Sequence, residues 1–287
     1  MSIAHEQGRL WTVLELIRWG SGFFQNKGIE SGRLTMELLL CNVLSSTRIA
    51  LYADFERPLT SVELDKLRAY VRRIAQHEPL QYVLGEASFY SLTFEVTPDV
   101  LIPRPETEFL VETAISVSKK VHTCLDIGTG SGAIAVSIAV HAPNTQWLCI
   151  DKSSHALAVA ERNAIRQNVQ RQCTFQQMDI LTQAPSKMFD LICMNPPYVS
   201  AHEVVQLEPV VRDYEPHIAL TDDADGLTFY RRLAELSKTV LADHGILLLE
   251  IGWGQSAAVK DIFHKIGEIA IVNDLADIPR VVKVAKE

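Results

Sequence analysis

Positive charge is in short supply in this chain, and so is cysteine. Its 287 residues carry 27 Lys and Arg against 35 Asp and Glu, a formal charge of −8. Proteins that live on phosphate backbones are usually basic, so nucleic acid is disfavoured as a direct partner. The five cysteines, Cys41, Cys124, Cys149, Cys173 and Cys193, are an odd set without a C-x-x-C pair. That excludes a disulfide-stapled mini-protein, and four of them fall in strand-like runs where they read as small buried hydrophobes of a reducing cytosol. No metal site is expected. No apolar run approaches the length needed to cross a bilayer, and Met1-Ser2-Ile3-Ala4-His5-Glu6 has no basic segment leading into an apolar stretch. A soluble, cytoplasmic, monomeric protein with no membrane partner is expected. Internal repeats and low-complexity tracts are missing too. What the chain does hold is a hydrophobic fraction of 47% with 22% charged residues, enough for a large core in one or two domains.

Apolar residues recur at helical spacing up to about residue 80: Leu10, Val13, Leu14, Ile17; then Met36, Leu39, Leu40, Val43, Leu44; then Leu64, Leu67, Val71, Ile74. Residues 1–80 therefore read as a small helical bundle. Between residues 81 and 105 the aromatic and β-branched run Ser88 to Val96, ended by Pro98, Pro103 and Pro105, reads as a β-hairpin linking two domains. Over 106–287, strand-like runs alternate with helical stretches, the pattern of a parallel sheet covered on both faces, an α/β fold. The expected strands are Val121 to Ile127, Trp147 to Asp151, Cys173 to Gln177, Phe189 to Met194 and Gly245 to Ile251, with helices beginning near Ser131, Ser154, Gly226 and Gly254. The runs Ile269 to Val272 and Val281 to Val284 complete a seven-stranded sheet.

After the first of these strands comes Gly128-Thr129-Gly130-Ser131-Gly132-Ala133, where glycines let the backbone turn sharply and approach a ligand at a helix N-terminus. Gly128, Gly130 and Ala133 also satisfy the loose dinucleotide pattern, with Asp151 placed for ribose hydroxyls. The loop alone does not separate NAD from S-adenosylmethionine. Asp126 and Asp179 favour the latter, because carboxylates suit a cationic amino acid joined to adenosine and repel a pyrophosphate. Taken singly, each is equally a helix cap or a solvated loop residue; their shared place at the carboxyl ends of strands points to a ligand.

The strand Phe189 to Met194 runs into Asn195-Pro196-Pro197-Tyr198. Two prolines fix the backbone and leave the Asn195 side chain and the Pro196 carbonyl as acceptors for the two hydrogens of a planar amino group, with Tyr198 offering a flat face. The nitrogen so held is aimed at a sulfonium methyl. A proline-rich turn with no ligand is the plainer alternative.

On these segments the chain resembles the HemK/PrmC family, glutamine-N5 protein methyltransferases that act on peptide-chain release factors. The resemblance covers nearly the whole chain and includes Leu101-Ile102-Pro103-Arg104-Pro105-Glu106-Thr107-Glu108, the Asn-Pro-Pro-Tyr corner, Val211 to His217, Asp225 to Arg232, Glu250-Ile251-Gly252 and Asp277-Ile278-Pro279-Arg280. The first eighty residues match in general character only. What it implies is a Rossmann-like seven-stranded S-adenosylmethionine-dependent methyltransferase domain behind a small helical bundle, which reads as a recognition domain for the protein substrate or as a stabilising appendage. The cofactor would be held by Gly128, Thr129, Gly130, Ser131, Gly132 and Asp151, with Asp179 and Ile180 beside the adenine. Asn195 would serve both cofactor and substrate, and Pro196, Pro197 and Tyr198 the glutamine of a Gly-Gly-Gln motif; Asn195, Pro196 and Tyr198 are the expected catalytic residues. Arg104, Glu106 and Thr107 border the pocket or form an ion pair or helix cap. Competing readings are a glutamine methyltransferase of a ribosomal protein, an amino-group DNA or RNA methyltransferase, and a non-catalytic binding module.

Overall fold

The computed structural model describes residues 10–286; Met1 to Glu6, read above for the absence of a leader, lie outside them. The chain divides after Leu84 into two compact units.

The first unit is built from α1 (Val13–Gln25), α2 (Gly32–Leu44), α3 (Arg48–Ala53), α4 (Ser61–Ile74) and α5 (Leu80–Leu84). Thr12 and Thr60 start α1 and α4 through reciprocal capping boxes with Glu15 and Glu63, each satisfying otherwise orphaned backbone donors. The Thr12 cap also explains why Leu10, which continues the apolar spacing, lies outside α1 and is 72% exposed. Leu16, Phe24, Met36, Leu39, Leu40 and Leu67 form the bundle's fully buried centre.

The second unit opens with the hairpin β1 (Glu86–Phe89) and β2 (Leu92–Glu95). Phe89 and Phe94 are buried in the same apolar cluster as Leu110 and Ile134. Asn163 donates to the Glu95 carbonyl and accepts from the Glu95 amide, so the hairpin is bonded into this unit, while 81–84 belong to α5. After α6 (Glu108–Val117) come β3 (Thr123–Ile127), α7 (Ala133–His141), β4 (Gln146–Asp151), α8 (Ser154–Arg166), β5 (Cys173–Gln177) and β6 (Phe189–Met194). Two short helices, α9 (Pro209–Arg212) and α10 (His217–Leu220), precede α11 (Thr228–Val240), β7 (Leu241–Glu250), α12 (Ser256–Phe263), β8 (Gly267–Asn273) and β9 (Pro279–Lys286).

The seven strands β3 to β9 form one sheet in the order β5-β4-β3-β6-β7-β9-β8. Strands β3 to β7 pair in parallel, and β9 runs antiparallel to both β7 and β8. Alternate residues feed two apolar layers. Cys124, Cys149, Leu191 and Cys193 face the side of α6 and α7, and Leu125, Ile150, Ile192 and Leu249 face that of α11 and α12. All five cysteines are free and the four in strands are buried. Register places Ile127 opposite both Ile150 and Met194, and Met194 opposite Leu249. The residues that follow, the glycine loop, Asp151, Asn195 and Glu250, therefore emerge level with one another at the sheet's carboxyl edge. The strand order departs from simple succession between β3 and β6, the switch point at which open α/β sheets bind ligands. Among the described residues, no helix is long and apolar enough to cross a membrane.

Candidate active site

At that edge the backbone of the glycine loop is left-handed at Gly128 (φ 69°), Gly130 (φ 55°) and Gly132 (φ 81°), a region that side chains with a Cβ disfavour. The Gly128 and Thr129 amides both donate to the Ile150 carbonyl, at 2.9 and 3.0 Å, which clamps the loop to β4. A cavity of about 560 Å3 opens beside it. Of the residues assigned above to the cofactor, Gly128, Thr129, Gly130, Ser131, Asp151, Asp179, Ile180 and Asn195 all line this cavity. Gly132 does not; it faces α8, where an added Cβ would stand 3.2 Å from that of Ala160. That close approach leaves little room for a side chain between the loop and α8.

The aspartates take three different parts. Asp151 accepts from the Gly130 amide at 3.0 Å and the Ser153 amide at 2.8 Å, so it shapes the loop and the turn into Ser153, the N-cap of α8, while keeping lone pairs for hydroxyl groups. Burial raises its pKa against the pull of those amides. Asp179 sits at the cavity wall, 3.1 Å from the Lys152 ammonium. Asp126, expected near a cationic ligand, lies beneath the loop instead. It is 0% exposed and accepts from the Thr129 hydroxyl at 2.7 Å, and burial pushes its carboxyl up to about 7. Its place inside β3, opposite Cys149 and Cys193, turns it to the face covered by α6 and α7, and it does not line the cavity. Asn163, which the sequence gave no reason to single out, supports the loop from α8 through a 2.9 Å bond to the Ser131 carbonyl.

Across the cavity stand Asn195, Pro196 and Pro197. The Asn195 amide donates from Nδ2 to Thr107 Oγ1 at 3.2 Å, so its donor end is engaged and its carbonyl end is left for a ligand. Tyr198 is set behind the corner, outside the cavity lining. Its ring packs on the apolar layer below, its phenol lies 3.5 Å from Glu250 Oε1, and burial pushes that phenol up. The Tyr198 carbonyl accepts from Gln255 Nε2 at 3.0 Å, and Gln255 Oε1 accepts from the Gly252 amide at 3.0 Å. Gly226 presses on the same carbonyl: a Cβ there would fall 2.2 Å from the Tyr198 oxygen.

Arg104 and Thr107 border the cavity and Glu106 does not. Arg104 pairs with buried Glu215, which also accepts from the Ile102 amide at 3.2 Å, tying together two segments far apart in sequence. Glu106 instead lies 3.8 Å from the Arg280 guanidinium. The far rim holds His217, bonded to Asp223 at 2.8 Å, a pair that spacing alone did not suggest.

Family models match two stretches: the PrmC N-terminal domain over residues 15–85 and the methyltransferase small domain over residues 105–210. Among curated relatives, the release factor glutamine methyltransferase of Geobacter sulfurreducens is 40% identical over 91% of this chain and 92% of its own length. Those of Chlorobaculum tepidum, at 37% over 95% and 96%, and Bacillus subtilis, at 38% over 93% and 94%, are similar throughout. Two solved structures share the fold at low identity. One is the hMettl16 catalytic domain in complex with a 3'UTR hairpin, 12% identical with a TM-score of 0.55 over 77% of this chain and 81% of that one. The other is a methyltransferase from Pyrococcus furiosus, 16% identical with a TM-score of 0.50 over 75% and 96%. With relatives this similar spanning nearly its entire length, the chain belongs to the family of release factor glutamine methyltransferases.

Proposed function

We propose that this chain transfers the methyl group of S-adenosylmethionine to the side-chain amide nitrogen of a glutamine, within a Gly-Gly-Gln motif, in peptide-chain release factors. The observation that carries this reading is the orientation of Asn195, whose carbonyl end is left to the cavity by the bond from Nδ2 to Thr107. The cavity fits the donor: glycine-loop backbone at one end, carboxylates of Asp151 and Asp179 along the wall, and no requirement to receive a pyrophosphate.

When bound, the cofactor supplies an electrophilic methyl group on a sulfonium. The chain's part is to hold an amide whose nitrogen lone pair is delocalised and therefore a poor nucleophile. Asn195 Oδ1 and the Pro196 carbonyl accept its two hydrogens, drawing electron density toward nitrogen and fixing its approach. Near-attack placement of this kind is worth about 7 to 11 kcal/mol in favourable systems. A glutamine nitrogen that had gained the methyl group would be acidic and would release one proton to solvent.

The helical first unit is read as the recognition domain for the protein substrate, and the reading includes a cytoplasmic monomer without a direct nucleic-acid partner. Asn195→Ala tests the reading. Cofactor affinity should persist while single-turnover methylation of a release factor falls roughly a hundred- to a thousand-fold, the loss seen when one preorganised hydrogen-bonding group is deleted. A wild-type rate would refute it. Parallel incubations of the intact enzyme with a release factor, ribosomes or DNA, each with labelled S-adenosylmethionine, separate the substrate classes; label on ribosomal protein or DNA alone would overturn the assignment.

A further inference from the structure

Past the Asn-Pro-Pro-Tyr corner, the same edge of the sheet carries two large apolar side chains left in water: Trp253 is 84% exposed and Leu275 98%. The other tryptophans behave differently, Trp147 being buried and Trp11 and Trp19 packed against the core of the first unit, as the large apolar area of an indole leads one to expect. Both exposed residues are held on firmly bonded turns. Trp253 sits in a four-residue turn closed by the Gln255 amide on the Gly252 carbonyl at 3.2 Å, with Gly254 left-handed at φ 80°, as a type II turn requires. The Gln255 side chain accepts from the Gly252 amide and donates to the Tyr198 carbonyl, both at 3.0 Å, so this turn is fastened to the corner itself. Leu275 is displayed between β8 and β9, where the Asp274 carboxylate accepts from the Ala276 and Ile278 amides at 2.9 and 3.0 Å and from Arg280 Nε at 2.7 Å. The two turns meet at their base: the Ile251 amide donates to the Arg280 carbonyl at 2.9 Å, one rung beyond the pairing of Glu250 with Val281. Apolar tips fixed in water add nothing to the core and fit a surface that becomes covered on binding.

Strand order says what would cover it. The cavity residues on the cofactor side follow β3, β4 and β5, Asn195 follows β6, and β7 and β9 are the next strands along the edge. At about 4.8 Å per strand, the two turns stand roughly 5 and 10 Å past Asn195, a span that two or three residues of extended chain cover. A release factor presents its glutamine on a polypeptide, and the two glycines before that glutamine have no side chains to grip. With the methyl donor on the β3 side, the rest of the polypeptide has the β7 and β9 side to lie on. We propose that Trp253 and Leu275 form a docking edge for the release-factor segment flanking the methylated glutamine, covering apolar side chains within a few residues of it. The inference rests on the reading that Asn195 receives the glutamine amide.

In the full-length enzyme, Trp253→Ala should raise KM for the release factor, and the calorimetric Kd measured with S-adenosylhomocysteine present, about tenfold to thirtyfold, the scale of truncating an aromatic anchor at an interface. Leu275→Ala should raise both about threefold to fivefold, and Trp253→Phe should recover most of the loss. Saturated kcat, S-adenosylmethionine affinity and Tm should stay near wild type, because neither side chain lines the cavity or packs in the core; a merely structural role would move Tm and kcat instead. A release factor carrying serine in place of its apolar residues within about four positions of the glutamine should bind the wild-type enzyme weakly and lose little more with Trp253→Ala, since both changes remove one contact. Unchanged KM and Kd in the double variant Trp253→Ala, Leu275→Ala, or a full loss on the serine-substituted release factor, would overturn the proposal. So would a wild-type dimer in sedimentation that the double variant loses with KM unmoved, which would assign the edge to a second copy of the chain. The wild-type enzyme run alongside separates the two failures: if it methylates the release factor and the double variant keeps its KM, only the docking edge is wrong, and if it leaves the release factor unlabelled, the proposed reaction falls and the docking edge with it.

Discussion

Gly226→Ala offers a test of how tightly the catalytic corner is held. Gly226 has φ +78°, and a Cβ built on it would stand 2.2 Å from the Tyr198 carbonyl oxygen and 3.0 Å from its carbon. Carbon–oxygen contacts settle near about 3.3 Å, so the two backbones must part by roughly 1 Å. The Tyr198 carbonyl is tethered, since it accepts from Gln255 Nε2 at 3.0 Å, an atom that would itself stand 3.0 Å from the added Cβ, and the next amide, Val199, bonds to Leu220 at 3.0 Å. The shift is therefore passed to the corner. A misplacement of about 1 Å can cost about a hundredfold in rate, so kcat should fall by about that factor. Cofactor affinity should stay near wild type because the glycine loop and Asp151 are carried by β3 and β4. The left-handed backbone adds strain of about 1 to 2 kcal/mol, or a Tm lower by about 2 to 8 °C. Gly254→Ala separates strain from displacement: Gly254 has φ +80° and nothing within 4 Å of an added Cβ, so it should lose similar stability and little rate. Differential scanning calorimetry with single-turnover methylation reads both. If Gly226→Ala turned over at the wild-type rate, or Gly254→Ala were equally slow, the argument from close approach would fail.

Asp151→Ala should weaken S-adenosylmethionine binding by about 1.5 to 3 kcal/mol, the worth of a charged hydrogen-bond acceptor, because it removes the ribose partner and frees the Gly130 amide; unchanged affinity by isothermal titration would place the ribose elsewhere. Removing residues 1–84 should leave cofactor affinity near intact, since the cavity is lined wholly by later residues, while methylation of a folded release factor slows; equal rates would show that the helical unit is not a recognition domain. Asp126 predicts a pH effect. A carboxyl whose folded pKa is about 7 holds its proton more tightly folded than unfolded, so stability is lost as pH rises from about 4 to about 7, by on the order of 4 kcal/mol at most for this group. Asp126→Asn should flatten the fall of Tm over that window, and identical slopes in both proteins would refute the assigned cause.

Much of the second unit was legible because buried parallel strands are written as short, nearly unbroken apolar runs. Cys173–Gln177 and Phe189–Met194 were readable to the residue, and the glycine loop announced itself by composition. The short helices α3 and α5 escaped because one or two turns carry too little periodicity to register. At the site, residue type located the cavity-lining residues but not the direction in which side chains point. Asp126 and Asp151 look alike in sequence, yet the first is inside a strand and turned to the face under α6 and α7, whereas the second is at a strand's end. Tyr198 follows two prolines, and its ring packs on the apolar layer with its phenol 3.5 Å from Glu250, apart from the residues that line the cavity. The bond from Asn195 to Thr107 joins two segments far apart in sequence, and no local pattern encodes it.

The level alignment of Ile127 with Ile150 and Met194 says what kinds of sequence change this enzyme can absorb. Among the described residues no side-chain hydrogen bond joins the glycine loop to the Asn-Pro-Pro-Tyr corner; their separation is inherited from the hydrogen-bond ladder between neighbouring strands. Exchanging one apolar residue for another of similar volume within β3, β4 or β6 leaves that ladder in register and should be tolerated during divergence or library selection. Losing or gaining a single residue inside β6 is a different event. It would carry Asn195 about 3.3 Å along the strand and turn the side chains beyond it to the opposite face, separating methyl donor from acceptor even in a protein that still folds. Length variation in this lineage should therefore be confined to the loops and the first unit, while strand lengths between the glycine loop and the Asn-Pro-Pro-Tyr corner stay constant.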